Sequence, residues 1–170
     1  MNQIGSIRRL DELGRIVIPK EIRNELRLKA GDNFSITING NDIILRKHSP
    51  LESFKDLAHA IAQTLYNKTK NDILIISGET IIENTSKDIK ETVISDEIYN
   101  LMNSRQTTLF HRKKIYLTEN YLTTKDLIIS PINVSGDVLG ALIIIGENLT
   151  DEIKNITEIL NSVLTKELEN

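Results

Sequence analysis

The stretch GSIRRLDELGRIVIPKEIR, residues 5–23, says more about the fold than any other part of this 170-residue chain. Its first part, residues 6–10, is typical of a short strand. A turn at Gly14 follows and leads into the apolar, β-branched run of residues 16–18. The stretch therefore predicts short extended segments on both sides of a tight turn.

A helix is predicted over residues 20–28, directly after this stretch. Pro19 sets φ for a first helical turn, where its missing N–H costs nothing. Ile22 and Leu26 then fall four residues apart on one face, which suits a helix with one apolar side.

A β-hairpin comes next. Residues 34–38 (FSITI) alternate apolar and polar side chains, residues 39–42 (NGND) have turn chemistry, and residues 43–47 (IILRK) form the return strand. A segment of fewer than 50 residues rarely buries enough apolar surface by itself. Hairpins that interleave between two copies would supply the missing core, so we predict a homodimer through this segment.

A second domain is predicted after Pro50, because proline disfavours a helical conformation for the residue before it. We therefore expect domains at residues 1–50 and 51–170. The second domain reads as a helix, two strands, a polar excursion with helical stretches, three strands and a closing helix, over residues 51–66, 72–77, 80–83, 86–104, 113–118, 126–133, 138–146 and 151–168. This order predicts an α+β fold, with a mainly antiparallel sheet and its terminal helices on one face.

The charges divide unevenly along the chain. The net charge is −3 overall, yet residues 1–48 carry nine Lys and Arg against six Asp and Glu, a net of +3. The remainder carries a net of −6. The split suggests two modules that face different partners, with the basic module suited to phosphate. Chance drift in surface charge is the simpler alternative.

Several classes of function find no support in the composition. Cysteine is absent, which excludes disulfides, thiol nucleophiles and Cys-ligated metals. The three histidines form no metal-spaced pair, and no phosphate loop, nucleophile elbow or zinc motif is found. No apolar run approaches the roughly 18–20 residues of a membrane span. We therefore expect a cytoplasmic protein that is not an enzyme and has no metal, known cofactor or membrane partner.

The run D-x-L-G-R-I-V-I-P-K-E-I-R, residues 11–23, resembles the AbrB/MazE family of swapped-hairpin DNA-binding domains. The resemblance is close over residues 4–50. Beyond residue 50, length and element order resemble the stage V sporulation protein T branch, in which a GAF-like domain follows the first module. The resemblance implies that two protomers interleave their hairpins into one small β-barrel and bind double-stranded DNA.

The same resemblance implies which residues contact DNA. Arginines at the family's contact positions match Arg8, Arg15 and Arg23, and Arg9 is the basic residue after the first of them. Asn24 stands where many members have a second arginine, so this contact has no charge here. Lys20 completes the predicted set, although its side chain could equally well face solvent rather than DNA.

Other charged residues have less specific interpretations. The chemistry of Asp11 and Glu12 would repel phosphate, so we expect them to orient nearby arginines. We interpret Arg46 and Lys47 as ordinary edge-strand charges. The basic run of residues 111–114 suggests an anion site, but a solvated charge run is the favoured alternative.

The resemblance implies a DNA-binding transcriptional regulator of sporulation, acting on forespore gene expression. Its GAF-like domain would serve as a sensor or an assembly domain, with a pocket for an unidentified small molecule near residues 84–125. The apolar helices could pair two dimers into a homotetramer. The alternative is an antitoxin-like interaction module built on the same barrel; the strong periodicity of residues 51–170 speaks against it, because antitoxins usually carry a disordered tail.

Overall fold

The computed structural model describes residues 7–28, 30–47, 51 and 54–169. It divides the chain into two compact units, with the division between residues 48 and 49. Pro50, where a domain boundary is predicted, lies outside the described residues, so that boundary stays a prediction. Both units combine helices with antiparallel strands, which confirms the α+β class.

The first unit contains one short helix and one hairpin. Its elements are α1 (Lys20–Glu25), β1 (Phe34–Asn39) and β2 (Asp42–Lys47). The strands pair antiparallel from Phe34 with Lys47 to Asn39 with Asp42, so the connection is a two-residue turn. Gly40 opens that turn at φ +61°, a conformation that glycine adopts without steric cost. The predicted hairpin is confirmed.

Helix α1 ends at Glu25, three residues before the predicted end. Arg27 has φ +49°, and its N–H donates to the carbonyl of Asn24 at 3.2 Å. The N–H of Leu28 donates to the carbonyl of Arg23 at 2.7 Å. This pair of bonds is the Schellman motif, which ends a helix through one residue in the left-handed conformation. Periodicity alone misses such an end, because Arg27 fits the helical pattern.

The predicted strand at residues 6–10 is wrong where the structure describes it. Residues 7–10 and 16–18 run on either side of a turn without forming a strand. The turn itself is closed by the N–H of Asp11, which donates to the carbonyl of Arg15 at 3.0 Å. A strand needs a neighbour to bond with, and within the described part of this one chain these two arms have none.

The second unit is built on a five-stranded antiparallel sheet. Its strands lie in the order β4-β3-β9-β8-β5, and a separate two-stranded sheet joins β6 and β7. The elements are α2 (Lys55–Thr69), β3 (Asp72–Ser77), β4 (Thr80–Asn84), α3 (Asp96–Met102), β5 (Thr108–Phe110), β6 (Ile115–Tyr116), β7 (Leu122–Thr123), β8 (Asp126–Val134), β9 (Asp137–Gly146) and α4 (Asp151–Glu169). The predicted strand over residues 113–118 shrinks to β6, and sequence reasoning missed β5 and β7.

Two aliphatic cores cover the two faces of this sheet. On β3, Ile73 and Ile75 face helices α2 and α4, while Leu74 and Ile76 face the excursion that contains α3. Burial on both faces explains why the sequence here is continuously apolar rather than alternating. The terminal helices share one face, as predicted. No helix in the described part of the chain is long and apolar enough to cross a membrane.

Candidate nucleic-acid interface

Apolar side chains of the first unit lie open to solvent. In the hairpin, one face presents Ile36, Ile38, Ile43 and Leu45 with exposed fractions of 68, 81, 74 and 42%. The register pairs Ile36 with Leu45 and Ile38 with Ile43, so the four form one continuous patch. Residues 7–17 add further exposed apolar side chains, which are Ile7, Leu10, Leu13, Ile16 and Val17. A patch of this kind marks an interaction surface.

The turn of residues 11–15 fixes the position of the Arg15 guanidinium. Asp11 accepts hydrogen bonds from the N–H groups of Leu13 and Arg15 at 3.0 and 2.7 Å, and from the Nε of Arg15 at 2.7 Å. The backbone N–H and then the guanidinium of Arg15 hold the pKa of the Asp11 carboxyl below its usual value. Arg15 still exposes 72% of its side chain. The guanidinium is therefore anchored at one edge and open at the other.

Helix α1 gathers the second group of predicted contact residues. Lys20, Arg23 and Asn24 are spaced at i, i+3 and i+4, so they share one exposed face of the helix. Ile22 lies on another face and is half-buried. The basic face is therefore available to a polyanion. On the apolar side of the helix, Leu26 remains 60% exposed, so this side has little cover.

Arg8 and Arg9 lie in the extended arm before the turn, and both are exposed. The Arg8 guanidinium donates a hydrogen bond to the carbonyl of the neighbouring Ile7, at 3.5 Å. All six predicted contact residues are therefore exposed, in two groups: one in the arm and turn, the other on α1. Of the two acidic residues expected to orient arginines, Asp11 bonds to Arg15.

The basic run of residues 111–114 takes part in the fold of the second unit. His111 Nδ1 lies 3.3 Å from an oxygen of Asp126, and the N–H of Arg112 donates to the same carboxylate at 3.0 Å. Lys113 Nζ lies 5.0 Å from the centre of the Phe110 ring. All four residues of the run are exposed, and only His111 and Lys113 contact a partner through their side chains, so neither interpretation of the run is decided.

Asp126 itself ties two loops together. Its carboxylate is buried and also accepts the N–H of Leu149, at 3.0 Å. Burial raises the pKa of Asp126. The N–H of Arg112, the His111 side chain and the N–H of Leu149 lower it by more than burial raises it, so the pKa lies below its usual value. Sequence reasoning missed this role, because an aspartate at the start of a strand is common.

A cleft of about 580 Å³ opens beside this carboxylate. Its lining is His111, Arg112, Asp126, Asn148, Leu149 and Thr150. Between the sheet and the excursion, Ile98, Leu117 and Ile129 are almost fully buried. The pocket predicted near residues 84–125 stays a prediction, and His111 and Arg112 of this cleft lie in that range. Among the described residues, no three His, Asp or Glu side chains gather in a way that could hold a metal ion.

Two family comparisons cover almost the whole chain. Residues 53–169 match the family described as the stage V sporulation protein T C-terminal, transcription factor. Residues 7–53 match the family described as antidote-toxin recognition MazE, bacterial antitoxin. The two matches meet at residue 53.

Individual relatives match the chain as well. The chain is 32% identical to stage V sporulation protein T of Bacillus subtilis (strain 168) over 156 residues, 88% of each protein. It resembles the type II free methionine-R-sulfoxide reductase of Thermoplasma acidophilum, with a TM-score of 0.58 and 12% identity over 70% of this chain and 94% of that one. It also resembles the GAF domain of PixJ from Thermosynechococcus elongatus, with a TM-score of 0.51 and 14% identity over 71 and 87%. At these identities, the structural matches establish a GAF-like fold and nothing further.

Proposed function

The chain belongs to the stage V sporulation protein T family of transcription factors, and on that premise we propose that it is a sporulation regulator that binds double-stranded DNA through its first unit. The single observation that carries this proposal is Arg15, which stands at a closed turn with its guanidinium anchored and 72% of its side chain exposed. Arginine binds both phosphate and the guanine edge in a bidentate manner.

The DNA-binding form is proposed to be a homodimer. The hairpin patch of Ile36, Ile38, Ile43 and Leu45 supports this, because an aliphatic surface of that extent is unfavourable in water. Among the described residues, the chain arms on either side of the turn also lack strand partners, which a second copy would provide. A two-fold dimer would double the set of arginines and suit a roughly palindromic site.

Fluorescence anisotropy of a labelled promoter duplex tests the proposal with the intact protein at 50 and 200 mM salt. If roughly 6–8 phosphates are neutralised, affinity should fall by about 10³ or more between the two salt concentrations. Arg15→Ala should weaken binding and flatten this salt dependence, while the oligomer and its thermal unfolding stay nearly unchanged.

Arg46→Ala is the matched control, since it removes the same charge from an exposed strand residue interpreted as an edge charge. Equal losses in the two variants would assign the effect of Arg15 to net charge alone. Loss of the oligomer in Arg15→Ala would make Arg15 structural. Absence of binding at low salt would contradict the DNA-binding function itself.

For the second unit we propose a role in assembly, pairing two dimers into a homotetramer. Ile156, Ile159 and Val163 are exposed by 48, 64 and 43% on α4, and their spacing of three and four residues is that of a coiled-coil seam. The opposite side of α4 is anchored to the sheet, where Asn161 donates to Ser130 and to the carbonyl of Pro131. The helix is thus held with one apolar stripe facing outward.

A regulatory small molecule for this unit stays a prediction. The cleft beside Asp126 is a place where the described residues leave room for one. We propose no catalytic role, supported by relatives that are transcription regulators, and we propose a cytoplasmic location on the same ground.

The antitoxin-like alternative draws on the description of the family matched by residues 7–53. Residues 54–169, however, form the five-stranded sheet and its helices rather than an extended tail that could wrap a toxin. We therefore rank regulation of transcription first.

A further inference from the structure

The Asp11 side chain accepts three hydrogen bonds within its own turn. One carboxylate oxygen accepts the N–H groups of Leu13 and Arg15, and the other accepts the Nε of Arg15 at 2.7 Å. The backbone closes the same turn, because the N–H of Gly14 donates to the Asp11 carbonyl at 3.0 Å. One carboxylate therefore fixes both the turn and the arginine that projects from it.

The position of the bond on the guanidinium matters. Arginine has five N–H donors in a rigid fork, and the bond to Asp11 uses only the one at Nε. The four donors on the two terminal nitrogens are the ones that engage phosphate or the guanine edge. The carboxylate thus restrains Arg15 without occupying the part of the side chain that reads DNA.

A restrained arginine binds with less loss of side-chain freedom than a free one, and it tolerates fewer geometries of its target. A carboxylate near DNA also has a cost, because it repels phosphate at every sequence. Asp11 should therefore weaken non-specific binding while it sharpens the choice between sequences. These two effects have different signatures and can be separated.

Glu12 provides the comparison within the same turn. It is a neighbouring exposed carboxylate with the same charge, yet among residues 7–28 and 30–47 no hydrogen bond or ion pair joins it to Arg15. Removing either charge should relieve repulsion of phosphate to a similar extent. Only removal of the Asp11 charge should release the guanidinium.

We propose that Asp11 is a positioning residue that gives this protein sequence discrimination, by anchoring the Nε edge of Arg15 so that its terminal nitrogens face the DNA. This inference rests on the DNA-binding function proposed above. In this proposal, Asp11 contributes to sequence specificity through its bond to Arg15, and not through its charge alone or through closing the turn.

The test compares two duplexes bound by the full-length protein: one selected from a random pool by the wild-type chain, and one with the same bases scrambled. Glu12→Gln should change both affinities by the same factor. Asp11→Asn keeps an amide oxygen for the two backbone N–H groups but cannot accept from Nε with a charged oxygen. We expect it to lower the ratio of selected to scrambled affinity about tenfold, the size of one lost guanine contact.

A second measurement separates positioning from a purely structural role. In an Arg15→Lys background, Asp11→Asn should change the affinity ratio no more than Glu12→Gln does, because the guanidinium it acts through is gone. Asp11→Ala, which removes the turn bonds as well, should speed hydrogen exchange at the amide of residue 15, whereas Asp11→Asn should leave it slow.

Each outcome decides the matter. Equal affinity ratios for Asp11→Asn and Glu12→Gln, with the wild type binding normally, would overturn this inference and leave the proposed function standing. A tenfold effect that persists in the Arg15→Lys background would overturn it too. A wild-type chain that binds neither duplex would overturn the proposed function and this inference together.

Discussion

The two units of this chain use similar aliphatic strands with opposite results. Among the described residues, Pro19 is the one buried apolar residue before Leu51, whereas ten of the sixteen exposed large apolar side chains lie in residues 7–47. The strands of the second unit are covered on both faces by helices and the excursion. In the described part of the first unit, the apolar face of the hairpin is exposed, which supports the need for a partner.

The largest expected effect comes from Ile38→Asp in the exposed hairpin patch. An exposed site in a monomer should tolerate the change within about 0.5 kcal/mol. A site buried between protomers should not, because an unpaired carboxylate would be buried there. We expect loss of the dimer and of DNA binding, measured by sedimentation and anisotropy. Thr37→Asp, on the polar face of the same strand, should keep both; a normal dimer in Ile38→Asp would contradict the proposed interface.

The second-largest effect is expected from a truncation in the core of the second unit. Ile144 is fully buried beneath the terminal helices, so Ile144→Ala should lower the free energy of unfolding by about 2–5 kcal/mol. Urea denaturation followed by circular dichroism measures this, and Ile144→Val should cost about 0.5–1.5 kcal/mol. DNA binding should survive in buffer without urea. A loss below that of the valine variant would contradict a close-packed core here.

A smaller effect is expected from the pH dependence of Asp126. Its pKa lies below the usual value, so its ionised form stabilises the fold above the unfolded pKa near 3.8, and this contribution disappears as pH falls through the lower folded value. Asp126→Asn should therefore lower the melting temperature at pH 6. The gap from wild type should narrow below pH 3.8, and a gap that stays constant down to pH 2.5 would assign the loss to packing.

The smallest effect on folding should come from Ile159→Asp on the exposed stripe of α4. We expect unfolding of the second unit to change by no more than about 0.5 kcal/mol, because the side chain is 64% exposed within one chain. The particle mass from light scattering should nevertheless fall from that of a tetramer to that of a dimer. Glu158→Gln, an exposed change at the neighbouring position, should keep the tetramer. An unchanged mass in Ile159→Asp would leave α4 without a role in assembly.

Local chemistry explains which predictions the structure confirms. The hairpin at residues 34–47 follows from strict alternation around Asn39 and Gly40, and the β8–β9 hairpin follows from two long apolar runs around a short turn. The end of α1 was predicted too late, because Arg27 takes a left-handed conformation usually left to glycine. Strands β5 and β7 were not predicted, because a strand of two or three residues is too short to show an alternation of apolar and polar side chains.

The sequence by itself determined the two-part plan, the family and the set of exposed arginines, because these depend on short contiguous patterns and on charge. Tertiary structure decided what those patterns cannot express. It brought Asp126 against Arg112 and Leu149, residues distant in sequence, and it selected Asp11 rather than Glu12 as the partner of Arg15. The reason is the same in both cases: a hydrogen bond depends on distance and direction, and two neighbouring carboxylates of equal charge differ in the length of the side chain and in where the backbone directs it.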